Sequence, residues 1–142
     1  MNKPVRSPQA EREVRRDTSV RRARTCYDHL GGVAGVLLYV ELSKRGWITE
    51  ADTKKHPAVC ITPVGKIALE SRGINVQGSY PSKRKFAYGC LDWTERVHHL
   101  GGALGADILI TLESSKRVVR NCDDRSVRVS GCLVEWLDAG SS

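Results

Sequence analysis

An internal repeat constrains the fold of this chain more than any other feature of its sequence. Residues 29–35 read HLGGVAG in one-letter code, and 70 residues later 99–105 read HLGGALG, with five of the seven positions identical. Upstream, CYD at 26–28 recurs as CLD at 90–92, a spacing of 64 residues. The second copy therefore carries six extra residues, 93–98. A duplication of this kind predicts two structurally similar halves.

Each copy predicts the same order of elements. Apolar residues at helical spacing predict a long helix over residues 22–45 and another over 88–115. Short apolar runs then predict a two-stranded hairpin in each copy, at 47–49 with 59–61 and at 118–119 with 127–129. A closing helix follows, with Thr62 as N-cap and Pro63 at its first position in copy one, and over 131–138 in copy two. The predicted fold is α+β, with duplicated winged-helix-like halves of long helix, two-stranded wing hairpin and helix.

The distribution of charge distinguishes an N-terminal segment from the rest of the chain. Residues 1–25 hold eight basic and three acidic residues, whereas the formal net charge of the whole chain is +7. We therefore predict a basic N-terminal arm or linker helix over 1–25, a first half over 26–80 and a second half over 81–142. A basic arm suits contacts with a DNA backbone, although a solvated linker helix is an equally weighted alternative. The predicted DNA-contacting residues are Arg12, Arg15, Arg16, Arg21 and Arg22.

No apolar run approaches the roughly 20 residues that cross a bilayer, since the longest spans residues 33–40. Together with the absence of a recognisable signal peptide, this predicts a cytoplasmic protein with no membrane partner. Five cysteines with no CxxC pair argue against a disulfide framework.

The cysteines and histidines of the repeat form a candidate metal site. Cys26 and His29 lie three residues apart on the predicted helix, so their side chains face the same way. By pseudo-symmetry, Cys90 with His98 or His99 is expected on the mating helix. Thiolate and imidazole ligands suit a soft or borderline divalent ion such as Zn, Cd or Pb. The alternative is that these are structural residues, a buried thiol and a hydrogen-bonded imidazole.

Two other motifs have structural interpretations. The glycine pairs Gly31/Gly35 and Gly101/Gly105 predict close packing of the two long helices against each other, or alternatively a homodimer interface. Residues 92–96 predict a helix cap by Asp92 or Thr94, a half-buried Trp93 and a surface ion pair. No catalytic constellation is present in the sequence, so no catalytic residues and no enzymatic activity are predicted.

The blocks RARTCYDHLGG at 22–32, CLDWTER at 90–96 and HLGGALG at 99–105 resemble the C-terminal region of the larger ArsR-family (ArsR/SmtB-like) bacterial transcriptional regulators. The resemblance covers roughly residues 20–142. It implies a homodimeric winged-helix repressor that binds DNA and is released from its operator by a metal or an oxidant.

One feature of that family is not found ahead of these blocks. Members carry an N-terminal winged helix-turn-helix there, whereas only about 20 residues precede them in this chain. The expectation is therefore that the chain is a fragment of a longer regulator, or a protein without the DNA-reading head. Its function would be mainly dimerisation and the sensing of a metal or redox effector. The alternative is an interaction or dimerisation module that binds neither metal nor DNA.

Overall fold

The two halves of the chain share one order of elements, a hairpin, a helix, a second hairpin and a closing helix. The structure, a computed structural model, describes residues 19–74, 76, 86–121 and 123–138. A single helical turn comes first, α1 (Ser19–Arg22). The first half contains β1 (Arg24–Cys26), β2 (His29–Gly31), α2 (Gly32–Lys44), β3 (Ile48–Glu50), β4 (Val59–Ile61) and α3 (Pro63–Glu70). The second contains β5 (Tyr88–Leu91), β6 (His98–Gly101), α4 (Gly102–Ser114), β7 (Val118–Arg120), β8 (Val127–Val129) and α5 (Leu133–Asp138).

The α+β class and the duplicated winged-helix-like halves are confirmed. Within the described residues, each of the pairs β1–β2, β3–β4, β5–β6 and β7–β8 forms a two-stranded antiparallel sheet. The hairpins β3–β4 and β7–β8 are the predicted wings, and α3 and α5 are the predicted closing helices. Thr62 caps α3 as expected, because its Oγ1 accepts a hydrogen bond of 3.0 Å from the amide of Gly65.

The two long helices are shorter than predicted. Residues 24–31 and 88–101 form the hairpins β1–β2 and β5–β6, and the helices begin only at Gly32 and Gly102. These two glycines have φ of +74° and +82°, a conformation that glycine adopts at little cost. Each therefore lets the chain turn sharply from strand into helix. The buried side chains of Leu30 and Leu100 on the strands continue the apolar pattern of the helices, which explains the wrong prediction.

The halves are interlocked rather than side by side. The wing of the second half pairs with the first hairpin, since the amide of Val127 donates to the carbonyl of Ala23 over 3.0 Å. The wing of the first half pairs with the second hairpin in the same way, and Val59 donates to Ala87 over 3.1 Å. Each half therefore supplies backbone partners for an edge of the other.

The predicted packing of the long helices through their glycines is also wrong. Instead, α2 packs mainly against β6, and α4 packs against β2. A methyl group on Gly35 would lie 3.3 Å from Cβ of His99, and one on Gly105 would lie 3.1 Å from Cβ of His29. The glycines therefore make room for the histidine-bearing strands. Among the described helices, none combines the length and the apolar character needed to span a membrane.

Candidate metal centre

Two strand registers place a cysteine opposite a histidine in each central hairpin. Cys26 pairs with His29 across β1–β2, and Cys90 pairs with His99 across β5–β6. Directly opposed residues of an antiparallel pair extend their side chains from the same face of the sheet. The cysteine–histidine pair is thus a product of strand register, and the predicted helical face that would have carried it is replaced by a hairpin.

The four side chains converge where β2 contacts β6. The sulfur atoms of Cys26 and Cys90 and a ring nitrogen each of His29 and His99 all lie within 4.8 Å of one another. Both histidines are buried, and both cysteines are partly buried. Two thiolates and two imidazoles are a ligand set typical of tetrahedral zinc sites. The four residues could therefore hold a metal ion.

The two imidazoles face each other through their Nε2 atoms, which are 3.1 Å apart. Two nitrogen ligands at about 2.0–2.1 Å from a tetrahedral zinc ion lie about 3.3 Å apart, close to the separation seen here. Each Nδ1 faces a carboxylate, that of Asp92 at 2.7 Å for His99 and that of Asp28 at 3.4 Å for His29. A proton on each Nδ1 leaves both Nε2 lone pairs pointing at each other. In that tautomer a shared proton or a bound cation would satisfy the contact, whereas a proton on Nε2 of His29 would make it an N–H···N hydrogen bond to His99.

The sulfurs form an asymmetric pair. Hydrogen bonds from Cys90, His29 and His99 hold the pKa of the Cys26 thiol far below its usual range. The hydrogen bond to Cys26, together with burial, raises the pKa of Cys90. The opposite directions of these two pKa shifts favour the thiolate at Cys26 and the thiol at Cys90. A thiolate is the form of cysteine that binds metals and reacts with oxidants.

Asp92 anchors the site from behind His99. One of its oxygens accepts from Nδ1 of His99 at 2.7 Å and from the amide of Gly32 at 2.6 Å. The other accepts from the Arg24 guanidinium at 2.8 Å and from the Thr94 hydroxyl at 2.8 Å. Burial alone raises the pKa of Asp92, but the hydrogen bonds from His99, Arg24 and Thr94 outweigh it and lower the pKa.

The hydrogen bond between Asp92 and His99 also changes the pKa of the histidine. Burial lowers the pKa of His99, yet its hydrogen bonds to Asp92 and Cys26 outweigh burial and raise the pKa. A carboxylate on the far nitrogen of a histidine fixes the orientation of the ring and aims its other nitrogen at the ligand. Asp92 therefore positions Nε2 of His99 within the cluster.

The structure separates the predicted metal ligands into two groups. Cys26, His29, Cys90 and His99 come together, whereas His98 does not join them. The Nε2 atom of His98 lies 2.8 Å from the carbonyl of Lys55, and its ring is oriented away from the cluster by the alternation of the strand. The repeat alignment, in which His99 is equivalent to His29, is the sequence signal that distinguishes the two.

The sequence pattern did not reveal the role of Asp92 or of its partner Arg24. No helix begins after Asp92, so the predicted helix cap is wrong. Its carboxylate instead accepts from the amides of Thr94 and Glu95 in a tight turn. Trp93 is 64% exposed rather than half-buried, and its ring lies 4.6 Å from the Arg24 guanidinium carbon.

Of the predicted DNA-contacting arginines, Arg12, Arg15 and Arg16 lie outside the described residues. Arg21 donates to the carbonyl of Thr94 at 2.9 Å. Arg22 is exposed at the end of α1.

No protein-family model matches this sequence, and no solved structure matches it. The chain is 36% identical over 108 residues to a curated protein, the uncharacterized HTH-type transcriptional regulator YdfF of Bacillus subtilis strain 168. That match covers 76% of this chain and 46% of YdfF. The chain thus spans about half the length of this relative, and over that span it is similar to part of an HTH-type transcriptional regulator.

Proposed function

We propose that this chain is the dimerisation and effector-sensing region of an ArsR-type transcriptional regulator, and that its effector is a soft or borderline divalent metal ion such as Zn, Cd or Pb. The convergence of Cys26, His29, Cys90 and His99 within 4.8 Å carries this proposal. The similarity to an HTH-type transcriptional regulator supports the regulatory part, as does the resemblance of the repeat blocks to the ArsR family.

The position of the cluster suggests how binding is transmitted. His29 lies on β2, which leads directly into α2, and His99 lies on β6, which leads directly into α4. An ion held by all four residues ties the two hairpins together and fixes the two helices relative to each other. Binding then favours one arrangement of the halves over others, which is the thermodynamic requirement for an effector-driven switch.

The same proposal includes DNA binding, homodimerisation and a cytoplasmic location for the protein. Arg12, Arg15, Arg16, Arg21 and Arg22 are the proposed backbone contacts, alongside a helix-turn-helix of the kind named for the relative. Fluorescence anisotropy with a labelled duplex tests the arginines directly. We expect affinity that falls steeply with salt and is reduced in the triple variant R12A/R15A/R16A. Affinity independent of salt, or none, would reject the DNA contacts of this chain.

Metal uptake by the reduced protein tests the sensing role. Native mass spectrometry with Zn(II) or Cd(II) should show one ion per chain, and Cd(II) should add a thiolate charge-transfer band in the ultraviolet. Cys90→Ser should lose the ion and the band. Cys60→Ser is the matched control, because Cys60 is exposed and outside the cluster. A folded wild-type protein that takes up no ion would reject the metal effector, and absence of both metal uptake and DNA affinity would instead support a module that binds neither metal nor DNA.

The sulfur pair supports a second candidate, an oxidant as the effector. The Cys26 thiolate would attack hydrogen peroxide, break its O–O bond and form a sulfenic acid, with hydroxide leaving and taking a proton from solvent to give water. The Cys90 thiol would then attack that sulfur, form the disulfide and release a second water that carries the proton of the thiol. Mass spectrometry after peroxide treatment should then show the loss of two hydrogens in wild type and in Cys60→Ser but not in Cys90→Ser. Retention of both thiols at a peroxide dose that oxidises exposed cysteines would exclude this candidate.

A further inference from the structure

A cavity of about 850 Å³ lies beside α2. Its walls are α2, the β7–β8 wing and the start of α5, and we name it the α2 cavity. Its volume falls within the range of about 300–1,000 Å³ that small-molecule sites occupy. None of the four cluster residues lines it.

The surface of the α2 cavity is largely apolar but accessible to solvent. Val33, Leu37 and Val119 line it and are 40%, 41% and 44% exposed, although all three are large aliphatic residues. Ala34 and Leu133 extend the same surface. Concentrated exposure of this kind costs free energy in water and is typical of a surface that binds an apolar group.

The charged residues that line the cavity are all basic. Among the described residues that form it, the charged ones are Arg22, Arg120 and Arg128, and none is acidic. Arg120 also forms an ion pair of 2.7 Å with Glu113, which lies outside the lining. Guanidinium groups beside an apolar surface favour a ligand that has a hydrophobic body and one anionic group.

The repeat shows that residues lining this cavity differ between the two copies. By the 70-residue spacing, Leu37 corresponds to Asp107, and by the 64-residue spacing Arg22 corresponds to Phe86. Phe86 packs against the hydrophobic core. The equivalent region of the second copy therefore has a core aromatic in place of an arginine and an acid in place of a leucine.

We propose that the α2 cavity binds a small amphipathic organic anion, an aliphatic or aromatic body carrying one carboxylate or sulfonate. This goes beyond the metal-sensing function and does not depend on it. One alternative occupant within the chain is residues 1–18, which immediately precede α1. That segment holds five basic and three acidic residues, so its charge opposes rather than complements the arginines of the cavity.

Binding of anilinonaphthalene sulfonate, followed by its fluorescence, tests the proposal on the full chain in the presence of a chelator. Decanoate should displace the dye, and decanol, which has the same chain without the charge, should displace it far more weakly. Cooperative thermal unfolding of each sample separates binding to the folded protein from dye uptake by a loosened one.

Leu37→Asp should weaken binding of the dye and of decanoate about tenfold or more, because it places a carboxylate on the cavity surface. The substitution introduces the residue that the second copy carries on the equivalent helix, so α2 should tolerate it. Val40→Asp is the matched control, since Val40 is 39% exposed on the same helix and does not line the cavity. Arg128→Gln should reduce decanoate binding and leave decanol binding unchanged.

Several results would overturn the proposal. Equal effects of the Leu37 and Val40 substitutions would remove the cavity as the site, and equal displacement by decanol and decanoate would remove the anion. Absence of dye binding to the folded wild type would reject a small ligand and favour residues 1–18 as the occupant. Dye affinity that falls as protein concentration rises would assign the surface to a second copy. Displacement by duplex DNA but not by decanoate would assign its arginines to phosphate contacts.

Discussion

The two turns that follow the cysteines differ, although they derive from the same CxD motif. In the first hairpin a two-residue turn holds Asp28, whose side chain is 31% exposed and lies 3.4 Å from His29. In the second hairpin the turn has six residues, 92–97, and Asp92 is fully buried at 2.7 Å from His99. The longer turn wraps its backbone amides around the carboxylate. The comparison shows that an insertion, with no change in the motif residue, can convert a surface acid into a buried anchor.

The largest predicted difference is between the loss of stability on removing Asp92 and the loss on removing Asp28. Asp92→Asn leaves the buried Arg24 without its counter-charge, so we expect a loss of about 3–5 kcal/mol in the free energy of unfolding. Asp28→Asn should change it by about 0.5 kcal/mol or less, because this residue is near the surface. Urea denaturation followed by circular dichroism measures both. Equal costs would mean that the two turns are equivalent after all.

The packing between the halves should be equally sensitive to an added methyl group at Gly35 and at Gly105. Gly35→Ala and Gly105→Ala each force a methyl group against a strand carbonyl and against Cβ of the opposite histidine. Each should destabilise the protein by about 1–3 kcal/mol. Ser43→Ala, on an exposed position of α2, serves as the control and should have little effect. A large cost at one glycine alone would show that the halves are not packed symmetrically.

The pH dependence of stability should further distinguish Asp92 and its partner His99 from Asp28. The lowered pKa of Asp92 gives stability that is present above its unfolded pKa of about 3.9 and is lost as pH falls. The raised pKa of His99 gives stability that is full below about pH 6.5 and is lost as pH rises through the higher folded value. In a Cys26→Ser background, which removes the opposing gain in stability that the lowered pKa of Cys26 gives as pH rises, the metal-free protein should therefore be less stable at pH 8 than at pH 6.

His99→Gln should abolish that loss between pH 6 and pH 8, because it removes the titrating group. Asp28→Asn should retain it. Thermal unfolding in the presence of a chelator provides the measurement. A stability that is flat or rising over this range in the Cys26→Ser background would contradict the proposed protonation of His99.

The smallest effect concerns backbone strain in the two turns. Tyr27 and Arg96 have φ of 59° and 63°, a region that asparagine adopts more readily than either. Tyr27→Asn and Arg96→Asn should each stabilise the protein by a few tenths of a kcal/mol, since both side chains are exposed. Lys116→Asn, at φ of 60° outside the hairpins, is a reference for the same relief of backbone strain. Destabilisation by Tyr27→Asn would indicate that the tyrosine side chain has a role of its own.

Much of the fold followed from local signals in the sequence. The wings lie where short apolar runs predict them, and Thr62 with Pro63 marks the start of α3. The hairpins β1–β2 and β5–β6 did not follow from such signals. Their apolar residues continue the periodicity of α2 and α4, and the decisive hydrogen bonds come from the wing of the other half.

The candidate site was predictable in its composition but not in its geometry. The repeat and its pseudo-symmetry predict that Cys26 and His29 meet Cys90 with His98 or His99. The sequence pattern placed them on helices and did not separate His98 from His99. Only the strand register decides which of two adjacent histidines faces the cluster, because neighbouring side chains on a strand point to opposite faces.

The sequence by itself determined that the chain consists of two related halves, which residue types are available as ligands, and where the wings and closing helices lie. These are properties of short segments and of self-similarity. The tertiary structure alone decided the interlocking of the halves, the burial of Asp92 against Arg24, and the exposure of Leu37 in the α2 cavity. The Asp92–Arg24 and His29–His99 contacts join residues 68 and 70 positions apart. Local periodicity carries no information about contacts at that separation, because they depend on how complete elements pack.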